Sequence, residues 1–326
     1  MEVFMRILYF TDTHIKGTNP KNRKDDFVAS LEEKFREIVS IVKEKDIDFV
    51  IHGGDLFDRP DISISVVSRF TTILKEIEKP IYIVSGNHDI FGHNPSTIDR
   101  TMLGLLKSLD FIGVIERDKP MIIEKSGMKV GLTSLPYTYD IDATPEGYIL
   151  KEAQENVDYS IHVVHGMLLD RPFVKGIPYT LIDDIVDTAA DITLSGHYHA
   201  GFKTIEKNGK YFVNPGSLVR VTNSLKEIER IPQVAIIDLD KEISVELLPL
   251  KSAKPGEDIL DRTEMENCIF RSERIVQFKQ SIDSAMNFEK MDLNDILLEV
   301  TLSEGVSNDV KEEALRRIAN SQMKGY

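Results

Sequence analysis

Eight residues able to bind a metal or move a proton stand at the ends of short apolar runs: Asp12 and His14, Asp55, Asn87 and His88, His165, and His197 and His199. Carboxylates mixed with imidazoles suit Mn²⁺, Fe or Zn²⁺ better than an all-oxygen calcium cage or a thiolate site. They are too many for one ion. Two ions about 3.5–4 Å apart, sharing one carboxylate, would use the set, and such a couple polarises a phosphoryl group and activates water for in-line attack on phosphorus. Asp55 follows Gly53-Gly54 and suits the shared carboxylate, because glycine permits close approach. Asp12 and His14 lie two apart at a strand end, so extended backbone is expected to turn both to one side; the same holds for His197 and His199. His88 then serves as the acid that protonates the leaving oxygen, with Asp89 orienting its ring.

Sites in open α/β sheets lie beyond the carboxyl ends of strands. Residues 3–10, 48–51 and 80–84 read as buried strands ahead of the first five candidates. Between them run amphipathic helices, one with Phe27, Leu31, Phe35, Ile38 and Val42 on a face, the next with Val66, Val67, Phe70, Ile73, Leu74 and Ile77. A third helix is expected over 98–109. From Met121 short strands dominate, with Asn208-Gly209 as one hairpin turn. An alternating front half and a strand-rich back half predict two sheets packed face to face, with helices outside. Residues 251–261, carrying Pro255-Gly256, read as a linker between a domain at 1–250 and a small unit at 262–326. That unit is expected to hold a helix around Ile275, a strand through Leu298, Val300 and Leu302, and a last helix around Val310.

A chain of 326 residues can bury one large core and a smaller second one. The net charge of -14 weighs against a broadly basic nucleic-acid binder, although bound cations would offset part of it. The single cysteine, Cys268, forms no internal disulfide framework and suits a reducing cytosol. Arg6 interrupts the first apolar run, which reads as a strand and not a signal peptide. No apolar run is long enough for a membrane span.

Asp12-x-His14, Gly54-Asp55-x-x-Asp58, Gly86-Asn87-His88-Asp89, His165-Gly166 and Gly196-His197-x-His199 resemble, in order, the five motifs of the calcineurin-like metallophosphoesterases. The resemblance implies an α/β fold, a four-layer two-sheet sandwich flanked by helices. It assigns one metal to Asp12, His14, Asp55 and His199, and the other to Asp55, Asn87, His165 and His197, with His88 as the catalytic histidine outside the ligand set. Gly54-Asp55-Leu56-Phe57-Asp58, the Asn214-Pro215-Gly216-Ser217 turn, the length and the small last unit are similar to the SbcD-type exonuclease subunits of DNA repair. That narrower resemblance implies DNA as substrate, Mn²⁺ as metal (Fe, Zn or Mg as alternatives), a homodimer, an SbcC-type ATPase partner, a capping domain at 262–326 and a cytoplasmic location. Archaeal and eukaryotic members carry histidine at the position of Asp58. The cap is expected to lack its final strand, and the chain is expected to lack the long C-terminal tail with which many members grip the ATPase. A cyclic-nucleotide phosphodiesterase is the alternative enzyme. A non-catalytic scaffold would be expected to have lost ligands, and none is missing.

Substrate contacts are expected from Lys16, Arg23 and Lys24, in the basic loop beside the first motif, where phosphates could pass. His93, just past the catalytic loop, and Arg220, together with Tyr137 and Tyr139, are further candidates to line the cleft. Asp58 reads as a catalytic or substrate-facing residue, or as a partner of Arg59. His52 and His162 read as hydrogen-bonded strand histidines.

Overall fold

In β1 (Met5–Phe10) alternate side chains enter different cores. Leu8 and Phe10 pack under the helices, whereas Ile7 and Tyr9 pack between the sheets. The computed structural model describes residues 4–263, 266, 270–277, 309, 310, 313 and 316. After β1 come α1 (Phe27–Glu44), β2 (Phe49–His52), α2 (Ile64–Lys75), β3 (Ile81–Ile83), α3 (Met102–Ser108) and β4 (Gly113–Val114). The back half supplies β5 (Met121–Lys125), β6 (Met128–Leu135), β7 (Tyr159–Gly166), the short pair β8 (Leu168–Leu169) and β9 (Thr180–Leu181), β10 (Ile192–His197), β11 (Phe202–Lys207) and β12 (Lys210–Asn214). Then follow α4 (Leu225–Glu229), β13 (Gln233–Leu239), β14 (Ile243–Pro249) and α5 (Gly256–Ile259).

Two six-stranded sheets result, in the orders β14-β13-β1-β2-β3-β4 and β11-β12-β10-β7-β6-β5. Strands β1 to β4 run parallel, as do β6, β7, β10 and β12, so five carboxyl ends that carry candidates can meet at one edge. α1 and α2 cover the outer face of the first sheet. Phe27, Leu31, Phe35, Ile38 and Val42 of α1 are all buried, and Asp26 caps the helix by accepting the Ala29 amide at 3.0 Å. On the outer face of the second sheet the cover is loops and two 3₁₀ turns, Pro145–Tyr148 and Ile182–Ile185, around Tyr148 and Leu168. Prolines and glycines such as Pro136, Pro145, Gly147, Pro172 and Pro178 keep a long helix from forming there. Among the described residues, only one of the two outer layers is α-helical.

The expected helix over 98–109 is two elements. A 3₁₀ turn, Pro95–Arg100, ends at Thr101, whose extended backbone (φ -113°, ψ 168°) starts α3 afresh while its hydroxyl accepts the Gly104 amide at 3.1 Å. A side chain that caps outcompetes helix continuation at that position. The stretch expected to be a linker is packed. Leu250, Ile259 and Leu260 are buried, and Lys24 and Asp261 donate backbone bonds to Ile259 and Asn22. The chain divides into two compact units, Met1–Asp261 and Arg262–Tyr326. In the second, residues 270–277 are helical; the strand expected through Leu298–Leu302 and most of the unit lie outside the described residues. Among the described residues, no helix is long and apolar enough to cross a membrane.

Candidate metal centre

Left-handed turns aim four of the candidate ligands, whereas His165 stays on the extended strand β7. Asp12 (φ 53°), His14 (φ 42°), Asp55 (φ 55°) and His197 (φ 74°) all occupy a region that costs a non-glycine residue of order 1 kcal/mol or more. Neighbouring loops hold each of them there. The Asp12 and His14 amides donate to the Gly54 and Asp55 carbonyls at 3.1 and 3.0 Å, and the His197 amide donates to the Asp12 carboxylate at 3.1 Å. Close approach is built into two glycines. A Cβ on Gly54 (φ 100°) would come within 2.3 Å of His165 Nδ1, and one on Gly86 within 2.1 Å of Asp55 Oδ1. The Asn214–Ser217 turn braces both flanks, since Ser217 Oγ donates to the Asp12 carbonyl at 2.9 Å and its amide donates to the His199 carbonyl at 3.0 Å.

The side chains collect into two clusters around one carboxylate. Asp12, His14 and His199 form one; Asp55, His165 and His197 form the other; Asp55 also groups with His14 and His88. Asp55 Oδ1 accepts the His88 amide at 2.8 Å, while its Oδ2 stands 3.7 Å from His14 Nε2 and 3.3 Å from His165 Nε2. The arrangement turns ring nitrogens and carboxylate oxygens towards one another, so that a proton or a cation must lie between them. His165 Nδ1 donates to the Gly53 carbonyl at 2.7 Å, so its Nε2 faces Asp55 and the Asn87 oxygen, 3.2 Å away, with no hydrogen of the neutral ring to offer. His14 Nε2 and His199 Nε2 lie 3.1 Å apart. Such a donor set is stable only around positive charge, and the residues present fit two divalent cations.

Electrostatics point the same way. Burial would raise both carboxylates, but the His199 hydrogen bond and charge hold Asp12 well below the usual range, and the His165 charge does so for Asp55. Burial opposes the proton on His165, yet Asp55 and Asp12 push its pKa up to about 9. A cation between these groups would displace that proton. Burial, reinforced by neighbouring imidazoles, lowers His14 and His197 to about 4, which leaves both neutral and able to ligate at pH 7.

Of the residues expected to be catalytic, His88 lies beside His14 and Asp55, and the Asp89 carboxylate bonds to backbone amides and not to the His88 ring. His88 Nδ1 donates to the Asp58 carbonyl at 2.7 Å, so Asp58 orients the ring through its backbone. Asp89 is fully buried and accepts the Gly86, Phe57 and Leu56 amides at 3.0, 3.1 and 3.3 Å, tying the β2 loop to the β3 loop. Burial and the nearby Asp55 charge raise it to about 7. The Asp58 side chain pairs with Lys16 at 3.0 Å, not with Arg59, which approaches Asp61. Two expected phosphate contacts are turned inward. Arg23 holds Asp25 through two bonds of 2.7 and 2.8 Å, and Arg220, 1% exposed, donates to the Lys254 and Arg230 carbonyls at 2.7 and 2.5 Å. Lys24 is exposed, with its ammonium on the Glu257 carbonyl at 3.2 Å. His93 is exposed beside Tyr137 and Tyr139, with ring centres 5.2 and 6.3 Å away, and Tyr137 in turn lies 5.2 Å from His197. His52 and His162 are hydrogen-bonded inside the fold, to Thr13 and the Gly54 amide and to Thr133 and Gly147.

A sequence profile described as calcineurin-like phosphoesterase matches residues 5–201, more than half of the chain and the whole span of the motifs. The chain belongs to that family. Among curated relatives of this phosphoesterase, the double-strand break repair protein MRE11 of Encephalitozoon cuniculi is 25% identical, over 77% of this chain and 48% of that protein. Mre11 of Methanosarcina mazei is 22% identical over 77% of this chain and 39% of its own, and human MRE11 25% over 66% and 36%. The chain thus spans less than half the length of these relatives. Among solved structures, the calcineurin-like phosphoesterase YfkN from Bacillus subtilis superposes with a TM-score of 0.53 at 15% identity, covering 84% of this chain and 98% of that one, a likeness of fold.

A groove of about 380 Å³ opens at the centre. Asp55, Asn87, His88, His197 and His199 line one part, and the rest includes Met167, Phe173, Tyr198, Thr222, Lys226 and Glu227. The sequence flagged none of the second group. Tyr198 sits between two motif histidines, which is a signal, whereas Phe173 lies in a loop with no chemical signature.

Proposed function

We propose that this phosphoesterase is a metal-dependent phosphodiesterase that cuts DNA. In this reading Asp12, His14, Asp55 and His199 hold one divalent ion, and Asp55, Asn87, His165 and His197 hold the other. The observation that carries it is the Asp55 carboxylate standing between two imidazole clusters whose ring nitrogens converge on one space. A bound ion pair polarises a phosphodiester and acidifies water. The chain's own residues do the rest. Asp55 is fixed by the His88 amide, and His88, locked by the Asp58 carbonyl, keeps Nε2 for the leaving oxygen.

DNA is favoured by relatives named for double-strand break repair. The mixed oxygen and nitrogen donors suit manganese, iron or zinc, and the SbcD-type resemblance favours manganese among them. Exposed Ile64, Leu105 and Leu109 on α2, α3 and the residue that follows support a homodimer seam, and the SbcD-type resemblance supports a capping role for 262–326, an SbcC-type ATPase partner and a cytoplasmic setting. A cyclic-nucleotide phosphodiesterase is the second reading, favoured by a groove sized for one nucleotide and by the net charge of -14.

End-labelled linear DNA, cyclic nucleotides and bis-p-nitrophenyl phosphate, each incubated with and without Mn²⁺, test the reading. Metal-dependent release of mononucleotides is expected, together with two ions per chain by metal analysis. Inertness to DNA beside rapid cyclic-nucleotide cleavage would reverse the order of the two readings.

A further inference from the structure

We propose that Phe173, Tyr198 and Lys226 form a nucleobase subsite beside the metal centre, which selects an unpaired nucleotide at the bond being cut. The inference rests on the nuclease reading and narrows its substrate. Tyr198 is anchored by its position between His197 and His199 and is only 9% exposed. Phe173, half-buried in the loop between β8 and β9, meets it edge to face, with ring centres 6.1 Å apart and planes at 77°. Tyr198, nearly buried, backs the pair, and Phe173 keeps the more open ring face. Lys226, from α4, closes the corner, with its ammonium 5.8 Å from the Phe173 ring, 5.9 Å from the Tyr198 ring and 3.4 Å from the Tyr198 hydroxyl.

All three residues line the same groove as Asp55, His88 and His199. A phosphodiester lying across those carboxylate and imidazole groups therefore has one neighbouring sugar and base directed along this wall. An aromatic face next to a cation is the combination that binds single-stranded nucleic acid without reading its sequence, since every base has a π-face. A base can stack on the Phe173 ring only after it has left its own pair and stack, which costs a paired base a few kcal/mol and an unpaired one much less. The subsite thus favours single strands and frayed ends.

The test compares a short single-stranded oligonucleotide with its twin carrying abasic residues on both sides of one cleavable bond. kcat/KM is measured with Mn²⁺, and affinity is measured separately in chelator by fluorescence anisotropy. Wild-type protein should favour the intact strand roughly 5- to 100-fold, the range that base–aromatic stacking supplies. Phe173→Ala should bring both ratios close to one, and Phe173→Trp should restore them, which a merely structural role for the loop would not do. Equal handling of the two strands by wild-type protein, or a preference that survives Phe173→Ala, would overturn the subsite alone. Failure to cut either strand, beside turnover of bis-p-nitrophenyl phosphate, would instead remove the nuclease reading and the subsite with it.

Discussion

His88 shows how little a residue's sequence neighbours say about what it touches. Its ring is set by the carbonyl of Asp58, thirty positions away, and not by the adjacent Asp89 carboxylate. With Nδ1 committed, the proposed reading gives Nε2 to the leaving oxygen, and the cost of losing it then depends on how much the leaving group needs a proton. His88→Ala should lower kcat on DNA by about 10²- to 10⁴-fold. It should lower kcat far less on bis-p-nitrophenyl phosphate, whose phenolate leaves unaided, with two ions still bound by calorimetry. Equal losses on both substrates would show that the ring positions groups and does not donate. Asp89 makes the opposite case. Its oxygens take three buried amides from two loops, and Asp89→Asn would set an NH₂ group against at least one of them. An unsatisfied buried donor costs about 1–3 kcal/mol. The variant should therefore unfold at lower denaturant and lose activity on both substrates alike.

Loops at strand ends are the working elements of this fold, and the glycines in them decide how closely the two sheets' loops interlock. Gly86→Ala puts a methyl carbon 2.1 Å from the Asp55 carboxylate, which the proposed reading shares between the two ions. Activity on every phosphodiester and the binding of both ions should fall together, with little change in the circular dichroism of the sheets. Retention of either ion at wild-type affinity would show that Asp55 is not shared. Much of this architecture was legible in the sequence, because buried parallel strands are uninterrupted apolar runs and their ends announce themselves by a sudden change to histidine and carboxylate. The helical faces at Phe27–Val42 and Val67–Leu74 were equally plain, since a single-sided core leaves a single-sided pattern. The break at Thr101 was not, because a cap and a helix interior tolerate the same residue and only tertiary contacts choose between them. Left-handed backbone at Asp12, His14, Asp55 and His197 was invisible for a related reason. It is imposed by amide bonds from loops distant in sequence.

At the scale of the whole molecule, a chain with a net charge of -14 keeps some of its cations inside. Arg23, Lys34 and Arg220 are buried and Arg230 is half-buried, and the arginines fasten carbonyls. Arg230 donates to the Ser217 carbonyl at 2.6 Å and to that of Val219, holding the turn that braces Asp12, while Arg220 reaches Lys254 and so ties residues 251–261 to the domain. That is why two arginines that looked like phosphate contacts are structural. Lys34, on α1, bears the electrostatic consequence. Burial, then repulsion from Arg23, Arg220 and Arg230, lowers its pKa to about 7 from the ordinary 10.5. Between those values the unfolded chain binds a proton that the folded chain does not, so folding stability should rise as pH climbs from 7 towards 10.5. Below pH 7 the folded state carries a charge it disfavours. Each pKa unit is worth about 1.4 kcal/mol, so the climb should amount to roughly 3 kcal/mol by pH 10. Lys34→Met keeps the apolar stem and removes the titration. Urea unfolding from pH 6 to pH 10 should show the variant more stable than wild type at pH 6–7, with the wild-type rise flattened. A variant destabilised by the same amount at every pH would mean instead that the ammonium is a satisfied partner in the cluster, and that the arginines carry no strain from it.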